Sequence, residues 1–223
     1  MFFENGKDMV IITQRIDFKE EIQETREAVD QRLIQLVITA GYLPLTVSNM
    51  MITCHNSLGS PVAVIEKWLQ RIKPRAILLS GGNDIGEYPA RDETEKFLLS
   101  CAKTRRLPVL GICRGLQMMG VWAGTHLVKI DGHVKTRHQL NADNDNWPTG
   151  VNSYHNWALA ECPDGFRVLA RSEDGSIEAI RHIELPWEGW MWHPERETPF
   201  VSRDIERLKE LFGDSPPSLP YPY

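Results

Sequence analysis

No stretch of this 223-residue chain is apolar for long enough to cross a bilayer. Its first ten residues, carrying Glu4, Lys7 and Asp8, match neither a signal peptide nor an anchor. Basic side chains number 25 against 30 acidic ones, and the net charge of −5 argues against a general attraction to nucleic acid or membrane surfaces. Cysteine is scarce. Cys54, Cys101, Cys113 and Cys162 lie far apart and form no C-x-x-C pair. There is no internal repeat. What remains is 42% hydrophobic and 25% charged, enough for one domain with a sizeable core.

Short apolar runs alternate with amphipathic stretches, which predicts an α/β fold around a largely parallel sheet. Strands are expected at Met9–Thr13, Leu43–Val47, Ala76–Leu79, Pro108–Leu110, Arg167–Ala170, Ile177–His182 and Gly189–Met191. Helices are expected over Glu20–Ala40, Pro61–Ile72, Thr94–Arg105, from near Cys113 to Ala123, and over Arg203–Phe212. Residues 125–150 read as an irregular polar loop, and the proline-rich 215–223 as an extended tail.

The sharpest feature is Gly111-Ile112-Cys113-Arg114-Gly115-Leu116-Gln117, directly after an apolar run. A strand ending in Gly-x-Cys-x-Gly and continuing as a helix is a thiol nucleophile elbow. Its glycines permit the sharp turn, and the helix N-terminus favours thiolate over thiol. A thiol nucleophile needs a base, and the base needs a group that fixes its tautomer. His193 and Glu195, either side of Pro194, supply both. Cys54, Cys101 and Cys162 read as packing residues. A reactive thiol suits a reducing compartment, so a cytoplasmic location is expected.

An oxyanion formed at the attacked carbonyl needs preplaced donors. The Arg114 backbone N–H is one. Gly82, in the Gly81-Gly82-Asn83 turn after the Ala76–Leu79 strand, offers the second, although a plain strand-to-helix turn would look the same. His155 is a rival base, but no carboxylate stands two residues on. His126, His133 and His138 fit no common metal-ligand spacing, so neither a metal nor an organic cofactor is expected.

The elbow together with Trp192-His193-Pro194-Glu195 resembles the class I glutamine amidotransferase superfamily. Leu79-Ser80-Gly81-Gly82-Asn83-Asp84, Arg91-Asp92-x-x-Glu95, Val151-Asn152-Ser153-Tyr154-His155 and Asp174–Ile180 resemble its γ-glutamyl hydrolase branch. The resemblance implies a single flavodoxin-like domain over 1–214, with a mostly parallel sheet and helices on both faces. It also implies that Gln117, Ser153, Tyr154 and His155 contact the substrate. Ile12–Arg15 and Thr25–Arg32 resemble a subgroup found with surface-polysaccharide enzymes, hydrolases of γ-glutamyl-CDP-amidate in capsule synthesis. The implied substrate is then a small γ-glutamyl nucleotide amidate.

A diphosphate in the leaving group calls for cations, with Arg15, Arg114, Lys135, Arg137 and His138 as candidates. Arg137 is the residue expected to read the nucleotide. Two other readings stay open: a glutaminase subunit feeding ammonia to a partner synthetase, and a hydrolase of γ-glutamyl amines. A catalytically silent scaffold is disfavoured by the intact Cys113, His193 and Glu195. No synthetase segment is recognisable in the chain, which favours a stand-alone hydrolase.

Overall fold

Alternating apolar residues on short strands dictate the architecture, because successive side chains leave a strand on opposite faces. The structure is a computed structural model, and residues 8–53, 61–142 and 147–213 are described. In chain order the elements are β1 (Met9–Ile12), β2 (Arg15–Lys19), β3 (Glu24–Ala28), α1 (Gln31–Thr39), β4 (Leu43–Thr46), α2 (Pro61–Ile72), β5 (Ala76–Leu79) and α3 (Pro89–Arg105). Then come β6 (Val109–Ile112), α4 (Arg114–Trp122), β7 (Leu127–Lys129), β8 (Val134–Gln139), β9 (Asn141–Ala142), β10 (Gly150–Tyr154) and β11 (Trp157–Leu159). The chain continues through β12 (Phe166–Arg171), β13 (Ile177–His182), β14 (Trp187–Trp190) and α5 (Ser202–Phe212).

The central sheet has eight strands in the order β4-β1-β5-β6-β14-β13-β12-β9. From β4 to β14 every pairing is parallel, and from β14 to β9 every pairing is antiparallel. Counted along the chain, the parallel part has the flavodoxin order, second, first, third, fourth, fifth. Ala76 and Leu78 of β5 pack with Leu36 of α1 and Leu208 of α5 on one face. Ile77 and Leu79 pack with Leu69 of α2, Leu98 of α3 and Leu116 of α4 on the other. Helices therefore cover both faces, as a buried parallel sheet requires. Among the described residues no helix is long and apolar enough to cross a membrane.

The structure corrects three expectations. Residues 20–40 are not one helix: β2 and β3 form an antiparallel hairpin, and only Gln31–Thr39 is helical. Gln23 takes a left-handed φ of 52° that ends the one-turn helix Glu20–Ile22, and the Asp30 carboxylate caps α1 by accepting from the Arg32 N–H at 2.8 Å. The third helix starts at Pro89 rather than Thr94, because proline suits the first helical position. The 125–150 segment is not irregular; it holds β7, β8 and β9. β8 pairs with β10 and β7 with β11, outside the central sheet. These outlying hairpins bury little of either face, so the alternation that signals a strand is weak. Cys54, the expected tail 215–223 and residues 143–146 lie outside the described residues.

Candidate active site

β6 delivers Cys113 to the carboxyl edge of the sheet, and the chain turns there into α4. Cys113 has φ 51° and ψ −105°, a conformation costing an L-residue about 1–3 kcal/mol. The neighbouring glycines sustain it. A Cβ on Gly111 would stand 2.6 Å from the Gly115 carbonyl carbon, and one on Gly115 would collide with the Leu79 carbonyl oxygen. The Cys113 N–H donates to the Trp190 carbonyl at 2.7 Å, tying the elbow to the strand that leads to His193.

His193 is buried, and its Nδ1 lies 2.6 Å from Glu195 Oε1. Burial pulls the imidazole pKa down. The Cys113 thiolate, its hydrogen bond to His193 and the Glu195 carboxylate outweigh that and raise it to about 9. Gly81 is bare of necessity, since a Cβ there would lie 2.7 Å from His193 Cε1. The backbone of His193 is fixed by one side chain. Asn152 on β10 donates to the His193 carbonyl at 2.8 Å and accepts from the His193 N–H at 3.0 Å. Arg32 of α1 holds the following turn by donating to the Glu195 and Glu197 carbonyls at 3.2 and 2.6 Å.

The loop after β5 is held by Arg91, which is wholly buried. Its guanidinium donates to the carbonyls of Ser80, Gly81 and Gly82 at 2.8, 3.0 and 2.7 Å. In a trans peptide the N–H points opposite to the C=O. Fixing the Gly81 carbonyl toward Arg91 therefore turns the Gly82 N–H to the other side, where an oxyanion would need it. Arg91 also bonds Glu95 at 3.1 Å, and Arg114 bonds Glu95 and Asp92. Burial would raise the Glu95 pKa, but Arg114 and Arg91 hold it below the usual carboxylate value. This four-residue ionic network is what the Arg91-Asp92-x-x-Glu95 motif encodes.

Gly82, Cys113, Arg114, Gln117, Tyr154, His155 and His193 line one cavity of about 220 Å³, together with Asn83, Asp84, Asn156, Trp157 and Arg196. Glu195 sits behind His193. Gln117 is one helical turn on from Cys113, its N–H donating to the Cys113 carbonyl at 3.1 Å. The Gln117 amide nitrogen donates to the Trp157 carbonyl at 2.9 Å, which leaves Oε1 to accept from a ligand. The exposed Tyr154 ring meets His193 edge-on at 5.9 Å.

Other expected residues stand elsewhere. Ser153 is fully buried and donates to the His133 carbonyl at 2.7 Å, so it does not line the cavity. Arg137 is exposed and bonds Glu197 at 2.8 Å and the Gly150 carbonyl at 3.1 Å, also outside the lining. Buried against two carboxylates, the Arg114 guanidinium cannot meet a leaving group. Lys135 lies on β8, exposed and outside the lining. The His155 nitrogens face the Trp157 carbonyl at 3.0 Å and Glu178 at 3.6 Å, which removes it as a base for Cys113.

Arg15 and Arg196 were not both foreseen, yet they line a second recess beside His193, Glu195, Gly81 and Gly82. Arg196 also reaches the main cavity, with its guanidinium 4.3 Å from the Tyr154 ring centroid. Only its place beside Glu195 hinted at this role. Arg32, Asn152 and Arg91 stood within quoted motifs, but nothing local marked them as props for the site.

The family described as Glutamine amidotransferase class-I matches residues 42–200. The chain is 33% identical over 145 residues to a gamma-glutamyl-CDP-amidate hydrolase of Campylobacter jejuni subsp. jejuni, covering 62% of this chain and 70% of that one. It is 30% identical over 128 residues to one subunit of the glutamine-hydrolyzing GMP synthase of Methanocaldococcus jannaschii, covering 54% of this chain and 64% of that one. A glutamine amidotransferase structure from Thermotoga maritima superposes with a TM-score of 0.60 at 16% identity, covering 92% of this chain and 83% of that one. The last likeness shows the fold alone.

Proposed function

Because the chain belongs to the class I glutamine amidotransferase family, we propose that it hydrolyses a γ-glutamyl amide bond through a thioester on Cys113. The carrying observation is the Cys113–His193–Glu195 alignment at the mouth of a cavity that also holds Gly82, Arg114 and Gln117. Cys113 Sγ attacks the γ-carbonyl carbon, and the C=O electron pair moves to oxygen, where the Gly82 and Arg114 N–H groups receive it. Collapse of this intermediate breaks the C–N bond, and the departing nitrogen takes the His193 proton. His193 then draws a proton from water, whose oxygen attacks the thioester and releases glutamate and the thiolate. Glu195 holds Nδ1 throughout. The Gln117 oxygen suits the substrate ammonium.

For the leaving group, the reading is a nucleotide phosphoramidate, with γ-glutamyl-CDP-amidate giving glutamate and cytidine diphosphoramidate in surface-polysaccharide modification. The Campylobacter relative supports this, as do Arg15 and Arg196 at the rim, cations placed for a diphosphate. A cytoplasmic, reducing setting follows from the thiol chemistry. The GMP synthase relative favours a second reading, a glutaminase that delivers ammonia to a synthetase. Glutamate release from γ-glutamyl-CDP-amidate, a γ-glutamyl amine and glutamine at matched concentrations separates them. The nucleotide amidate is expected to win by a wide margin. Preference for either of the others, or glutamine turnover appearing only with a synthetase, defeats the nucleotide reading.

A further inference from the structure

Behind the cavity wall lies a cluster of side chains that the proposed chemistry does not use. His133 precedes β8, His138 lies on it, His155 follows β10 and Glu178 belongs to β13. One ligating atom from each lies within 4.8 Å of the other three. His133, His155 and Glu178 are buried. His133 Nδ1, His138 Nε2, His155 Nε2 and both Glu178 carboxylate oxygens are buried atoms without a hydrogen-bond partner. Five such orphans at one point would be costly, since each has lost water and gained nothing.

The tautomers sharpen the problem. His133 Nε2 lies 2.7 Å from Asp174 Oδ2, and His155 Nδ1 lies 3.0 Å from the Trp157 carbonyl oxygen. Each ring must donate there, so His133 Nδ1 and His155 Nε2 present bare lone pairs to the centre. Both face Glu178 Oε1, at 3.8 and 3.6 Å, beyond hydrogen-bond reach and itself an acceptor. Extra protons cannot relieve all of this. The His133 ring centroid is 4.1 Å from that of His138 and 4.9 Å from that of His155, so several imidazoliums would repel. What converging lone pairs lack is a cation.

We propose that His133, His138, His155 and Glu178 form a buried site for a divalent transition-metal ion, zinc by its donor set, that fastens the β8–β10 hairpin to β13. Three imidazoles and one carboxylate make a four-ligand zinc set, and bonds of ~2.0–2.1 Å place tetrahedral ligands about 3.3 Å apart, close to the spacings here. Asp174 and the Trp157 carbonyl already stand as the outer partners that orient metal-bound histidines. All four positions are filled by protein, so the ion is structural and touches no substrate. Its effect on the active site passes through β10, whose Asn152 holds His193 and whose end carries Tyr154. The sequence spacing concealed the set because two of its four ligands, His155 and Glu178, come from outside the 126–138 segment. His126, the third histidine of that segment, is exposed and takes no part.

The test uses the full chain without a polyhistidine tag, in a Cys113→Ala background so that the thiol cannot hold metal. After loading with Zn²⁺ and extensive dialysis, elemental analysis is expected to find about one equivalent per chain, and Co²⁺ to give a tetrahedral spectrum without a sulfur charge-transfer band. Stripping with a chelator should lower Tm by roughly 5–10 °C, restored by Zn²⁺. Glu178→Gln and, separately, His138→Gln should lose the bound equivalent. Absence of stoichiometric Zn²⁺ in the folded Cys113→Ala chain, an unchanged Tm on stripping, or undiminished binding by both variants would overturn the proposal. None of these readouts depends on the identity of the γ-glutamyl substrate.

Discussion

The two walls of the cavity are held by different physics. The wall carrying Cys113, Gly82 and Arg114 grows out of β5, β6 and α4, at the centre of the parallel sheet and between two apolar cores. Its backbone is set by glycines that admit no Cβ and by a buried network of Arg91, Asp92, Glu95 and Arg114. The wall carrying Tyr154 and His155 is a two-stranded hairpin outside that sheet, with β8 mostly exposed. Polar ties hold it: Asn152 to His193, Ser153 to the His133 carbonyl and Arg137 to Glu197. The first wall suits a reaction that tolerates little displacement, and the second suits a region free to vary with the leaving group.

The comparison breaks if damage to the first wall is mild. Cys113→Ala and His193→Ala should each cost about a thousandfold or more in kcat with the fold retained, measured by glutamate release and circular dichroism. Arg91→Lys should lower kcat by about a hundredfold with little change in KM, because the Gly82 N–H loses its aim while ground-state contacts remain. An equal rise in KM would instead place Arg91 in substrate binding.

pH sharpens the same wall. His193 carries its proton up to about pH 9, so proton donation to the leaving nitrogen should fail as pH rises through that value. Removing the carboxylate in Glu195→Gln removes a stabiliser of the cation, so the alkaline limb of kcat should move to lower pH, with activity down by about tenfold or more. A limb that stays in place would deny the coupling.

Changes on the leaving-group side should be smaller and selective. Arg15→Ala and Arg196→Ala should each raise KM for a nucleotide amidate by about tenfold and leave glutamine turnover nearly untouched. Arg137→Ala, although once the obvious nucleotide reader, should change either substrate by no more than about twofold, because its guanidinium is spent on Glu197 and Gly150.

The same division explains what was legible in the sequence. Val109–Ile112, Cys113 and the start of α4 announce themselves because strand, turn and helix are contiguous and glycine marks each close approach. The buried strand Ala76–Leu79 and the helix Pro61–Ile72 lie where periodicity placed them. The β2–β3 hairpin and β8 did not show, since partly solvated strands such as Glu24–Ala28 carry no clean alternation and their Thr, Arg and Glu residues also tolerate a helix. Ser153 and Arg137 fell within suggestive segments, but which way a residue on a strand faces depends on register, and β8–β10 register shifts between Ser153 and Tyr154. Arg91 was visible only as a motif; its grip on three carbonyls required the folded loop.

The central claim is that one thiol, set at the elbow, takes the γ-glutamyl group. Its most direct test is peptide mapping by mass spectrometry after treating the native chain with a γ-glutamyl-directed electrophile. The account predicts one adduct, on Cys113, lost in His193→Ala, with Cys101 and Cys162 unlabelled because burial pushes both thiols up, Cys101 to about 11. Comparable labelling of Cys101 or Cys162, or an unmodified Cys113, would contradict it.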